Sequence, residues 1–224
     1  MIMTKLELAQ MMDHTLLDPK ATPDDVRQLI SEGIDLQVGA VCVNSGYIRL
    51  AKEQLPKDHV MHLAATVGFP LGQASSHAKI AEATEAVRDG ADEIDMVWNL
   101  GLFLGGQEAE VAGEITAIKS ALGPSVMLKV ILETGWLSPQ QIQRGTELAV
   151  KAGADMVKTS TGFGSPGASV EAVTIMRRVA PSHIGIKASG GIRTLAEAQA
   201  MIAAGATRLG VSRSASILGE WVNG

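Results

Sequence analysis

Cysteine is almost absent from this 224-residue chain: Cys42 is the only one. That excludes an internal disulfide framework and a Cys-rich zinc site, and it fits a reducing compartment. Aromatic residues are scarce, with three Trp, one Tyr and three Phe, whereas an all-β sandwich would normally carry more aromatics and threonine. No stretch approaches the roughly 20 apolar residues that span a bilayer. The N-terminal MIMTKLELAQMMDH shows neither a long apolar run nor a cleavage-like segment, so the expected location is the cytoplasm. There is no excess of basic residues. Nineteen Lys and Arg against 24 Asp and Glu leave a net charge of −5 and a pI near 5.5. A general affinity for nucleic acid or an anionic membrane is excluded, although a local basic pocket remains open. His14, His62 and His183 lack metal-ligand spacing and read as local hydrogen-bonding residues. No Pro/Gly/Ser linker or low-complexity segment divides residues 1–224, so one domain is expected.

What the chain does have is glycine, 24 residues of it, set among Ala, Val, Ile, Leu and Met. That is the composition of α/β folds with many short elements. Four segments, SEGIDLQVGAVCV, RDGADEIDMVW, KAGADMVKTS and AAGATRLGVS, each run from a helix end through glycine into an apolar strand. Gly33, Gly90, Gly153 and Gly205 are expected at the helix C′ position, where a positive φ carries no Cβ penalty in glycine. Their spacings of 57, 63 and 52 residues are each about two βα units. Filling in the intermediate apolar runs places strands near 12–17, 38–43, 60–67, 92–97, 126–132, 155–160, 183–188 and 207–212. Helical periodicity lies between them, as in Val111, Ile115, Ile118 and Leu122. Thr22-Pro23, Ser138-Pro139 and Thr194-x-x-Glu197 read as helix starts. A short helix near 4–10 and a C-terminal helix and tail over 213–224 complete the expected order. Eight βα units make a (β/α)8 barrel; a seven-stranded doubly wound sheet competes if MDHTLL is not a strand.

The strands' own residues separate the two folds. Strands of a helix-covered parallel sheet should be almost continuously apolar. Here period two sets Ile184 and Ile186 against His183, Gly185 and Lys187, and Ile94 and Met96 against Glu93 and Asp95. The face carrying Asp95, Lys129, Glu133, Lys158 and Lys187 is then expected inside a barrel. Five buried charges there require pairing, shifted pKa values or both. Lys129 and Glu133 are read mainly as structural members of such a network, and Cys42 as a small buried residue. Lys158 and Lys187 lie near the C-terminal ends of their strands, each followed by a polar, flexible stretch, which is where barrels place their chemistry. Two lysines on neighbouring strands repel, so one amine must lose its proton more readily than the usual pKa of about 10.4 allows. A neutral amine in a dry pocket attacks carbonyl carbon and forms a Schiff base. The turns SGGIRT and GVSRSAS, with Gly190, Gly191 and Ser212 and the free N–H groups of the helix starts behind them, read as a phosphate site.

DHTLLDP (13–19), AVCVN (40–44), TVGFPLG (66–72), DEIDMVWNLG (92–101), LKVILETG (128–135), VKTSTGF (157–163), KASGGIRT (187–194) and RLGVS (208–212) together resemble bacterial deoxyribose-phosphate aldolases. The resemblance runs in order over nearly the whole chain. It implies a class I aldolase on a (β/α)8 barrel that needs neither metal nor cofactor, acting on a sugar phosphate and small aldehydes as a homo-oligomer (dimer or tetramer). By matching position, Lys158 is the Schiff-base lysine, Lys187 the lysine that lowers its pKa, and Asp95 the carboxylate of the proton relay. Asp13, Thr15, Leu17 and Thr161 match positions around the sugar hydroxyls, and Cys42 a pocket cysteine open to aldehydes. Gly162, Gly190, Gly191, Gly210 and Ser212 match the phosphate end. Two features depart from the pattern. Many members end in a tail whose terminal Tyr reaches the active site, whereas this chain ends GEWVNG and its one tyrosine is Tyr47. Turnover is expected to be lower unless Trp221 acts in that place. Trp98 and Leu100 are bulky for the family and bear on the shape of the pocket. Another class I aldolase, a pyridoxal-phosphate protein holding its cofactor on Lys158, and a non-catalytic phosphosugar-binding barrel are the competing readings.

Overall fold

A computed structural model describes residues 3–164 and 166–221. Helix α1 (Lys5–Gln10) begins at a Thr4–Glu7 capping box and leads directly into β1 (Met12–Leu16). The chain then alternates: α2 (Pro23–Leu36), β2 (Ala40–Asn44), α3 (Ile48–Gln54), β3 (His62–Val67), α4 (Ser76–Arg88) and β4 (Glu93–Val97). Helices α5 (Leu100–Leu104) and α6 (Glu108–Leu122) follow, then β5 (Met127–Ile131), α7 (Pro139–Lys151) and β6 (Met156–Lys158). The order ends with α8 (Val170–Val179), β7 (Gly185–Ser189), α9 (Leu195–Ala203), β8 (Arg208–Val211) and α10 (Ser214–Gly219). Residues 222–224 of the expected C-terminal tail lie outside the described residues. No described helix is long and apolar enough to cross a membrane.

The eight strands are parallel and close in chain order, with β1 paired to β8 through Asp13↔Gly210. MDHTLL is therefore a strand, and the open-sheet alternative is excluded. The expected strands agree with those observed to within two or three residues at each end. The anticipated helix starts are also found. Thr22–Asp25, Ser138–Gln141 and Thr194–Glu197 each form a reciprocal capping box, and the first two precede Pro23 and Pro139. Each such box supplies partners to orphan N–H groups of a first turn, worth about 1 kcal/mol.

Gly90, Gly153 and Gly205 end their helices with φ of 113°, 104° and 110°, as expected. Gly33 does not. Helix α2 runs on to Leu36 and Gln37 takes the left-handed position, with φ of 56°. The reason for a glycine at 33 is packing: a Cβ there would lie 2.9 Å from Met61 Sδ and Val41 Cγ1.

The hydrophobic core fills the layer between strands and helices. Val41, Val43, Ile94, Met96, Leu128, Val130, Val157 and Ile186 point outward into it, and Val111, Ile115 and Ile118 of α6 meet them, all fully buried. Each such side chain contributes about 1.5–3 kcal/mol relative to exposure. Trp98, just beyond β4, belongs to this layer. Its ring presses on the Cα of Gly145, where a Cβ would lie 2.6 Å from Cη2, and Nε1 donates to Leu132 O at 3.0 Å. One buried ion pair sits in the same layer: Lys79 Nζ donates to Glu114 Oε1 at 2.7 Å and to Val97 O at 2.9 Å.

Candidate active site

The alternation of the strands turns a second set of side chains inward, and these are charged. Register places Lys158 opposite Lys187, Asp95 opposite Lys129, and Lys187 opposite Arg208. Asp95 Oδ2 accepts from both Lys158 Nζ and Lys187 Nζ at 2.7 Å, while Lys129 Nζ lies 2.9 Å from Asp95 Oδ1. Lys187 also donates to Asp13 Oδ2, to which Lys129 donates at 3.1 Å. Lys129 lies 2.5 Å from Glu93 Oε2, and Arg208 spans Asp13 Oδ1 and Glu93 Oε1 at 2.8 Å each. Glycine at 210 gives this network room: a Cβ there would come within 3.1 Å of Lys187 Cε and 2.8 Å of Ser189 Cβ.

The network divides the lysines by environment. Burial penalises the ammonium form of all three. At Lys158 that penalty, together with repulsion from Lys187, outweighs the attraction of Asp95, and its pKa falls. At Lys187 the carboxylates of Asp13 and Asp95 overcome burial, and the pKa rises. Asp13, Asp95 and Glu93 do the same for Lys129, which is held well above the lysine range. Burial also opposes ionisation of Asp95, yet Lys129, Lys158 and Lys187 together hold it well below the carboxylate range.

Above the network opens a cleft of about 500 Å³ at the C-terminal ends of β1, β6, β7 and β8. Of the interior lysines only Lys158 lines it, with 3% of its surface exposed. Thr15, Leu17 and Thr161 line its walls; Gly162, Gly190, Gly191, Gly210 and Ser212 line its far end. The loop after β6 is tied down by Glu133, whose carboxylate accepts from Thr161 N and, at 2.5 Å, from Thr161 Oγ1. Gly162, Gly190 and Gly191 have φ of 84°, 87° and 83°. A Cβ on Gly190 would sit 3.0 Å from the Cα of Gly167 and 3.3 Å from that of Gly162, so the β6 and β7 turns meet backbone to backbone.

Several expected placements change. Asp13 does not reach the cleft: its side chain is fully buried, and Lys129, Lys187 and Arg208 occupy its oxygens. Cys42 is buried and is not part of the cleft wall. Burial, reinforced by Asp95, pushes its thiol up to about 11, which keeps it protonated and a poor nucleophile. Three N–H groups at the start of α9 are not free for an anion: Glu197 Oε2 takes those of Arg193 and Thr194, just ahead of the helix, and Glu220 Oε2 takes that of Leu195, its first residue. Trp98 and Leu100 pack in the core and do not shape the cleft. Tyr47 donates to Ala21 O, and Trp221 packs against the core.

Sequence reasoning missed five contributors. Arg208 is inward by its own parity with Gly210, and Glu93 by parity with Asp95, yet neither was singled out. Arg193 and Arg213 line the cleft beside the glycine turns and are exposed there, two cations at the end where an anion would bind. Gly167, whose φ is 85°, has no motif to announce it; only its contact with the Gly190 carbonyl does.

Comparison with known proteins identifies the family. A family profile described as DeoC/LacD family aldolase matches residues 7–216. The deoxyribose-phosphate aldolase of Natranaerobius thermophilus is 46% identical over 96% of this chain and 98% of its own. That of Corynebacterium diphtheriae is 47% identical over 97% and 98%. Among solved structures, the tetrameric deoxyribose phosphate aldolase of Aeropyrum pernix superposes with a TM-score of 0.85 at 34% identity, over 96% of this chain and 91% of its own. The charged barrel interior thus sits in a chain that matches these proteins over nearly its whole length, and the chain belongs to the DeoC/LacD family of aldolases.

Proposed function

We propose that the chain is a class I aldolase that reversibly cleaves 2-deoxy-D-ribose 5-phosphate to acetaldehyde and D-glyceraldehyde 3-phosphate, with Lys158 as the Schiff-base residue. The reading takes its substrate from the names of the relatives. Its main structural support is that the one interior lysine lining the cleft is also the one whose amine is pushed toward neutrality. The neutral Nζ adds to the C1 aldehyde. Proton transfers through Asp95 then let the carbinolamine oxygen leave as water, giving an iminium. That cation accepts the electron pair of the C2–C3 bond as a base removes the C3 hydroxyl proton; glyceraldehyde 3-phosphate departs and an enamine stays on Lys158. Protonation at C2 and hydrolysis release acetaldehyde and restore the amine. Asp95 Oδ2, hydrogen-bonded at 2.7 Å to both Lys158 and Lys187, is placed to pass protons between them. The phosphate is assigned to the Gly162, Gly190, Gly191 and Ser212 end, where Arg193 and Arg213 add positive charge.

Borohydride reduction in the presence of acetaldehyde, followed by peptide mapping, tests the reading. An N-ethyl group is expected on Lys158 and should vanish in Lys158→Ala. Labelling of a different lysine in the unaltered protein would overturn the assignment.

A further inference from the structure

The contacts beneath the cleft form one closed set of charges. Asp13, Glu93 and Asp95 are the carboxylates; Lys129, Lys158, Lys187 and Arg208 are the cations. Each cation touches at least one of the three carboxylates. Six of the seven side chains are 97% or more buried, and Arg208 retains only 11% exposure. Three carboxylates cannot neutralise four cations. A net charge left in such an interior costs several kcal/mol, so one cation must give up its proton.

Geometry decides which. Arginine does not deprotonate in proteins. Lys129 lies within 3.1 Å of all three carboxylates, and Lys187 contacts Asp13 and Asp95. Lys158 contacts Asp95 alone, through the oxygen it shares with Lys187. The deficit of negative charge falls on Lys158. The pair of lysines on β6 and β7 is therefore only part of the cause: with Arg208 absent, three carboxylates would balance three protonated lysines, and Lys158 would keep its proton.

We propose that Arg208, which touches neither the cleft nor Lys158, is the positioning residue that keeps Lys158 neutral, by supplying from β8 the fourth positive charge of the buried set. This rests on the reading of Lys158 as the Schiff-base residue. Other titratable groups lie near the set: Asp58, His59 and His62 line, together with Arg208, a cavity of about 540 Å³ away from the cleft. Cys42 on β2 holds a protonated thiol, and the Glu133 carboxylate beyond β5 accepts from Thr161 at the cleft wall.

The test is the pH dependence of borohydride trapping of acetaldehyde, mapped to Lys158, in R208Q, E93Q, the R208Q/E93Q double variant and R208K. R208Q should move the midpoint up by about one unit, with a loss of labelling rate of up to roughly tenfold at pH values below the midpoint. E93Q, which removes a negative charge, should move it down. The double variant restores the balance and should return close to the unaltered protein, and R208K, which keeps the charge, should hold the midpoint whatever it loses in rate. A merely structural role for Arg208 would lower rates without opposite midpoint shifts. An unmoved midpoint in R208Q, or R208Q and E93Q shifting in the same direction, overturns the proposal while labelling stays on Lys158. If R208Q does not fold, an upward shift in E93Q overturns it as well. Labelling of another lysine in the unaltered protein is a different failure, that of the Schiff-base reading itself.

Discussion

Replacing Lys187 by leucine removes the cation that shares an Asp95 oxygen with Lys158 while leaving the proposed nucleophile in place. Both ammonium groups bond one oxygen of Asp95 at 2.7 Å. Their nitrogens are thus no more than about 5.4 Å apart, and at an effective dielectric constant near 20 their repulsion is roughly 3 kcal/mol. Loss of that repulsion favours the protonated form of Lys158, and Asp95, relieved of one partner, favours it further. Both effects raise the Lys158 pKa, by roughly 2 units. The neutral fraction near pH 7 should therefore fall, by at most about a hundredfold, and the pH at which imine forms should rise by the same roughly 2 units. Rates of borohydride-trapped acetaldehyde adduct on Lys158, measured across pH, report this directly. If the profile of Lys187→Leu superposes on that of the unaltered protein, or shifts to lower pH, the electrostatic account of the neutral amine is wrong.

Two further outcomes follow from the packing. Gly190→Ala forces a side chain into a backbone with φ of 87° and to within 3.0 Å of the Gly167 Cα. It should destabilise by about 1–3 kcal/mol and raise KM for the phosphorylated sugar far more than for unphosphorylated deoxyribose; equal effects on the two sugars would remove the β7 turn from phosphate binding. Lys79→Met strands the buried Glu114 carboxylate and should cost about 3–5 kcal/mol in urea unfolding, most of it recovered in K79M/E114L. A single variant as stable as the original would show that the pair contributes nothing.

The barrel was legible because its regularities are local. Glycine punctuation, strand-length apolar runs and capping boxes each need only a dozen residues of context. The charged interior was legible for a related reason: Lys158, Lys187 and Asp95 violate the apolar pattern that an open parallel sheet requires, and parity alone turns them inward. What could not be read was which carboxylate meets which cation. Asp13 and Lys187 are 174 residues apart in the chain and Asp13 and Arg208 195 apart, so closure of the ring brings them together and no spacing encodes it. Asp13 was therefore placed among the sugar contacts when it lies in the network below them. Gly33 misled because its neighbours look like a helix end; its actual constraint, the Met61 sulfur pressing on the helix, comes from a strand start almost 30 residues away. Lys79 and Glu114 had the same disadvantage, lying on different helices.

Every member of the buried charge set is carried by a strand, whereas Thr161, Gly162, Gly190, Gly191, Ser212, Arg193 and Arg213 are carried by the connections above. Apart from Thr15 and Gly210, the cleft lining named above is thus carried by a different part of the scaffold from the charges. Rebuilding the connections can change what the cleft admits while the Lys158 amine beneath keeps its setting.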